Sequence, residues 1–248
     1  MKKILAVAVL SAISFGASAD SVWSDIANDH RNYYSKDSLV GLGVAFGVGG
    51  VVANTSADQR IQDWWQDDVR SSTTDDWAAV AKEFGEGKYM LPLSLALAVF
   101  HEINDDTVIG EYGNRMARAY LVGGLPMLAM QTVTGAGRPG EHEWGSEWSP
   151  FDDTNGVSGH AFIGAVPFIT AAQMVENPFA RYALYAASTA TAISRVNDNQ
   201  HYASQAGLGW FMAYTAAKAV NKTDSEKDVV VTPMLGGDVY GINISFNF

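Results

Sequence analysis

The stretch Asn155-Gly156-Val157-Ser158-Gly159-His160 sets a histidine directly after a small, glycine-containing turn. Two other fragments belong with it. Gly137-Arg138-Pro139 lies upstream, and Ser194-Arg195 lies downstream with His201 six positions after the arginine. Apolar segments with helical spacing separate the three fragments. Two histidines and two arginines at the ends of such segments make a site for a phosphate-like oxyanion. Guanidinium groups donate to phosphate in pairs and in a plane. The Ser158 hydroxyl and the Gly159 amide, at a helix N-terminus, add donors where an anion is favoured.

Working outward, most of the chain reads as helix. Leu39 to Ala53 is an apolar run with Gly43 and Gly47 four apart. It is short for a membrane span, which needs about twenty residues. Small residues at that spacing favour close helix packing, so a buried helix is expected. Gly41-x-Gly43-x-x-Phe46 lacks the third glycine of a dinucleotide fingerprint. Ala57 to Arg70 is amphipathic, Trp77 to Phe84 resumes helical spacing, and Gly85-Glu86-Gly87 breaks it. Leu91 to Ile103 and Met116 to Thr134 read as two buried helices, the second bent or interrupted at Gly123, Gly124 and Pro126. Residues 135–156 form a long loop, and loops of that length are often functional. Helices are expected again over His160 to Val175, Pro178 to Arg195 and Gln200 to Val220, followed by a polar linker over 221–227.

The two ends differ from the middle. Lys2 and Lys3, the apolar stretch Ile4 to Phe15 and Ala17-Ser18-Ala19 match a secretory signal peptide over 1–19. At the other end, Tyr240, Ile242, Ile244, Phe246 and Phe248 alternate with small and polar residues after a Gly-Gly-Asp turn. That is the second arm of a hairpin over 228–248. One hairpin cannot close a membrane barrel, whose smallest common form has about eight strands. It is expected to pack on the helices, with contact to a membrane or a partner as the other option.

Composition narrows the function. The 248 residues are 48% hydrophobic and contain no cysteine, which excludes disulfides and thiolate metal sites. The net charge of -11 makes nucleic acid and anionic membrane surfaces poor partners. Any phosphate must therefore be held by local arginines.

In order, the motif residues are Gln131, six residues, Arg138-Pro139; Val157-Ser158-Gly159-His160; then Ser194-Arg195, five residues, His201, three residues, Gln205. This pattern resembles the three-part signature of the type 2 phosphatidic acid phosphatase and vanadium haloperoxidase superfamily, over roughly residues 90–220. The resemblance implies a mainly α fold, a helical bundle, here with the short C-terminal hairpin and with residues 20–89 as a helical segment packed on the core. It implies phosphoric ester hydrolysis with His201 as the nucleophile, forming a phosphohistidine. His160 is then the general acid, and later the base that activates water. Arg138, Arg195, Ser158, Gly159 and Gln131 would hold the phosphate. Neither metal nor other cofactor is implied. The substrate would be a phosphorylated lipid or small ester, met in the periplasm of a Gram-negative bacterium, with peripheral membrane contact as an option. The short, interrupted apolar runs lean towards a soluble body.

The departures from the pattern are specific. Gln131 stands where the family has a phosphate-binding lysine, Val157 where it has proline, and Gln205 where an aspartate orients the nucleophile. The alternative function is therefore a weakened member that binds a phosphorylated ligand without efficient turnover. Restoring the carboxylate with Gln205→Asp is expected to raise kcat. Asp198 is a candidate compensating carboxylate, while Glu141, Glu143 and Glu147 read as loop charges. Asp152, Asp153 and Asn155 do not meet calcium-loop spacing. His101-Glu102 and His142-Glu143 lack a further ligand at helical spacing.

Overall fold

The computed structural model describes residues 22–104, 107–227, 229–236 and 239–246, the last two as backbone only. The expected signal peptide lies outside the described residues. Helix α1 covers 22–33, followed by α2 (Lys36–Ala53), α3 (Ser56–Trp64) and a π turn (Trp65–Val69). Next come α4 (Ser72–Ala81), a 3-10 turn (Lys82–Gly85), α5 (Gly87–Ile103) and α6 (Val108–Thr134). After the long loop follow α7 (Gly159–Met174), α8 (Pro178–Ala187), α9 (Ala190–Asn197) and α10 (Ala203–Lys227). The helices form an all-α bundle. Strands β1 (Val229–Gly236) and β2 (Val239–Phe246) pair antiparallel, with Val229 opposite Phe246 and Gly236 opposite Val239.

Helix α7 is the centre of the bundle. Ala161, Phe162, Ala165, Val166, Ile169 and Ala172 bury one face, and Gly164, Pro167 and Thr170 are buried on the others, so burial reaches every side of the helix. A helix apolar all round belongs in an interior. Helices α6 and α10 pack on it through Met116, Val122, Met212 and Ala213. Close approach is possible because Gly123 of α6 has no Cβ; one placed there would meet Ala216 at 2.7 Å and Phe162 at 2.8 Å. Pro167 lies inside α7 and has no N–H to give the carbonyl one turn back. That carbonyl, of Ile163, instead accepts from the Tyr120 hydroxyl of α6 at 2.9 Å.

Buried charge fastens α1 to this centre. Arg118 of α6 donates from Nε and Nη2 to both carboxylate oxygens of Asp29, at 2.8 and 2.7 Å, and from Nη1 to Asp224 of α10 at 2.8 Å. Asn32 adds a bond to Thr223 at 3.1 Å. These contacts explain why residues 221–227 are the last turns of α10 and not the expected linker: Asn221, Thr223 and Asp224 have partners on α1 and α6.

Other expectations also change. Helix α6 runs unbroken through Gly123, Gly124 and Pro126 and begins at Val108, while Pro178 to Arg195 divides into α8 and α9. The larger correction concerns burial. Helix α2 buries only Gly49 and Ala53, and α5 buries only Ser94. Val40, Val44, Val48 and Val51 form an exposed stripe on α2, and Leu95, Val99 and Ile103 one on α5. Leu121, Leu125 and Leu128 extend this apolar surface on α6. A Cβ at Gly43 or Gly47 would meet nothing within 4 Å, whereas one at Gly49 would meet Leu208 at 2.9 Å. Close packing thus occurs two residues beyond the expected pair. By length and composition α2 suffices to cross a membrane.

Removing one partner of a buried ion pair leaves an uncompensated charge. Asp29→Ala is therefore expected to cost about 3–5 kcal/mol of stability. Adding Arg118→Met, which also takes a partner from Asp224, should not recover that loss in denaturant unfolding.

Candidate active site

Three chain reversals assemble the site. Helix α6 ends at Gly135, whose φ of 64° is left-handed and whose N–H donates to Gln131 O. Glycine is the residue that ends a helix this way without a Cβ penalty. After the loop, Ser158 caps α7 by accepting from Ala161 N at 3.3 Å. After α9, Asn199 takes φ 56° and the chain turns back, so that Gln200 N and His201 N both donate to Arg195 O, at 2.9 and 3.2 Å. The five-residue spacing between Arg195 and His201 is therefore the length of one closed turn.

His201 is buried, and its Nδ1 lies 2.9 Å from Gln205 Oε1. The direction of that bond follows from the other partners of the amide. Gln205 Oε1 also accepts from Tyr202 N at 3.2 Å, and Gln205 Nε2 donates to Gly137 O at 2.7 Å. Reversing the amide would set N–H against N–H and carbonyl against carbonyl. So Oε1 faces His201, Nδ1 carries the proton, and Nε2 keeps its lone pair. Burial pulls the imidazole pKa down to about 4; Gln205 opposes this, while Arg138, Arg195 and His160 add to it. The His201 ring is therefore neutral from mildly acid pH upward.

Arg138 and Arg195 flank both histidines, and the charge of each lowers the pKa of each ring. Arg138 is held by Asn155 Oδ1 at 3.0 Å and Gln200 Oε1 at 3.2 Å, and its backbone N–H donates to Glu141 at 2.9 Å. Arg195 is nearly buried and is paired through Nη1 with Asp198 at 3.2 Å. Its Nε is buried without a partner. A buried donor left unmade is costly, and an oxyanion between the two arginines would satisfy it.

His160, in the first turn of α7, is about half exposed. Burial lowers its pKa, as do Arg195 and Arg138, against the opposing pull of Glu86. Glu86 Oε1 lies 3.5 Å from His160 Nε2, and Glu86 Oε2 lies 3.4 Å from Lys88 Nζ. Partial burial raises the Glu86 carboxyl pKa, but Lys88 and His160 outweigh it and keep it low. The contact depends on Gly85, where a Cβ would meet His160 O at 2.8 Å.

The remaining expectations divide. Ser158 is fully buried with its oxygen engaged as the helix cap, and its N–H donates to Gln205 O at 2.9 Å. Gln131 donates to Val157 O at 2.8 Å, so it braces the turn before Ser158. A Cβ on Gly159 would lie 3.3 Å from that same amide nitrogen. Asp198 pairs with Arg195 and does not replace the carboxylate missing beside His201. Glu141, His142 and Asp153 bring possible ligand atoms within 4.8 Å of one another. His142 Nε2 is already 2.8 Å from Asp153 and its ring stacks on Trp144, which fits a loop brace. Glu86 and Gln200 were not singled out in the sequence. Glu86 sits in what reads as a helix break, and Gln200 lies between two motif residues at the expected start of the last helix.

The fold and this cluster define an all-α protein with two arginines and two histidines at the ends of its helices. Residues 118–227, which carry both arginines and both histidines, match the family model described as the PAP2 superfamily. Among solved structures it is similar to the first transmembrane PAP2 type phosphatidylglycerolphosphate phosphatase from Bacillus subtilis. That match has 13% identity and a TM-score of 0.46, and covers 83% of this chain and 95% of the other. No curated protein matches the chain.

The geometry reverses one expectation. An aspartate at 205 is too short to span His201 and Gly137, and any carboxylate there lacks the N–H that Gly137 O accepts. Gln205→Asp and Gln205→Glu should each lose about 1–3 kcal/mol of stability. The rise in kcat expected from the family pattern is not expected from this site. Thermal unfolding and single-turnover rates of the two variants check this.

Proposed function

We propose that the protein is an exported phosphatase that hydrolyses phosphomonoesters or diphosphates through a phosphohistidine. The unpartnered, buried Nε of Arg195, beside two histidines and a second arginine, carries this reading. Phosphoryl transfer depends on charge on the non-bridging oxygens and an aligned nucleophile. Arg138, Arg195 and the α7 N-terminal amides supply the first; His201 Nε2 supplies the second. In the first step His201 Nε2 attacks phosphorus, the bond to the leaving oxygen breaks, and His160 gives that oxygen a proton. In the second step water attacks phosphorus, the P–N bond breaks, and His160 takes the water proton, which restores both rings.

One feature supports a phosphate on an apolar chain as the substrate. The exposed faces of α2, α5 and α6 suit contact with the envelope membrane. Two adjoining apolar grooves, of about 340 and 700 Å³, share Ile61, Ala203, Gly207 and Trp210. Ala203, two residues after His201 in sequence, lines both grooves, whereas Arg138, His160, Arg195 and His201 line neither. The signal peptide read over 1–19 would deliver the protein to the periplasm. One observation favours binding without turnover: Gln131 and Gln205 are both neutral and both committed to backbone carbonyls.

Purified mature protein is expected to hydrolyse p-nitrophenyl phosphate and a short-chain phosphatidic acid, and His201→Ala to reduce both to background. Equal rates in the two proteins would leave the binding reading. The pH dependence follows from the two rings. His201 must be neutral, so activity rises through about pH 4. His160 must carry a proton, so activity falls through its own pKa, which burial sets below the ordinary 6.5. The kcat/KM profile should be a bell on the acid side of neutrality. A profile still rising at pH 8 would exclude His160 as the acid.

A further inference from the structure

We propose that Glu86, at the N-terminus of α5, is a positioning residue for His160, orienting the imidazole and offsetting the two arginines for proton transfer to the leaving oxygen. This deepens the phosphatase reading and rests on it.

The geometry is particular to this corner. Glu86 occupies the N-cap position of α5, yet its side chain makes no capping bond to that helix. Its backbone carbonyl accepts from Tyr89 N and Met90 N, so the turn is closed without the carboxylate. The side chain instead leaves the helix towards His160 Nε2, at 3.5 Å. Gly85 is buried and presses on the His160 backbone; a Cβ there would also meet Thr191 at 2.7 Å. The carboxylate is thus fixed by a glycine contact on one side and Lys88 on the other.

Charge gives this placement its use. Around His160 stand Arg195 from α9, Arg138 from the loop after α6, neutral His201 before α10, and Glu86 with Lys88 behind it. Both arginines, needed for the phosphate, work against a protonated His160. Glu86 is the carboxylate that opposes them at the ring. At 3.5 Å the contact is longer than a formed hydrogen bond. Its charge favours the imidazolium without sequestering the N–H from the substrate. In the first step the proton passes from His160 to the leaving oxygen. In the second the ring regains a proton from water, and the glutamate remains ionised throughout.

The test is Glu86→Gln in the full mature chain, which keeps the shape and removes the charge. By NMR titration the His160 pKa should fall, and the alkaline limb of kcat/KM should move to lower pH by the same amount. At pH 6, hydrolysis of glycerol phosphate, whose alkoxide needs a proton to leave, should drop by about tenfold. Hydrolysis of 2,4-dinitrophenyl phosphate, whose leaving group needs none, should drop by less than about threefold. Glu86→Asp, which retains the charge, should recover part of the glycerol phosphate rate. An unchanged His160 titration, or equal losses on both substrates, overturns the proposal. Wild-type rates no higher than those of His201→Ala on either ester overturn the phosphatase reading itself, independently of the His160 titration.

Discussion

The Gln205 side chain is fully buried and bonded at both ends, and its backbone carbonyl is bonded as well. Those bonds reach the three segments on which the site depends: His201 before α10, Gly137 beside Arg138, and Ser158 at the start of α7. No hydrophobic contact could impose this arrangement, because apolar packing is non-directional. An amide has one donating and one accepting end, so it fixes which face each neighbour presents. Displacing Gln205 would release the His201 tautomer, the arginine loop and the α7 cap together.

Much of the site was legible in the sequence because its spacings are those of short closed structures. Arg195 to His201 is one turn closed on a single carbonyl, and Ser158-Gly159-His160 is a helix start. Helix α7 was legible because it is apolar on every side. What Gln205 does was not legible. Compared with an aspartate it reads as a lost charge, and only the position of Gly137 shows that its second end is needed. Glu86 was hidden for a similar reason. Flanking glycines mark a break in periodicity, but one of them exists to let the chain touch His160.

The exposed apolar helices show another limit. Apolar composition predicts removal from water, and for α2 and α5 it led to an expectation of burial inside the protein. The protein interior is only one way to leave water. The polar part of the chain shows the inverse. Residues 221–227 look like solvated linker, but Thr223 and Asp224 spend their polarity inside, on α1 and α6. In both cases composition reported the preferred environment and not which neighbour supplies it.

The bond from Tyr120 to the carbonyl beneath Pro167 has a consequence for motion. A helix without side-chain obligations can slip along its neighbour by a turn, about 5.4 Å, and repack. For helix α7 such a slip would break a bond, because only at the present height does the phenol meet the carbonyl that proline leaves bare. The pair acts as a peg in a hole between α6 and α7. Since α7 carries His160 at its tip and α6 leads into the arginine loop, the peg holds these two parts of the site at one height.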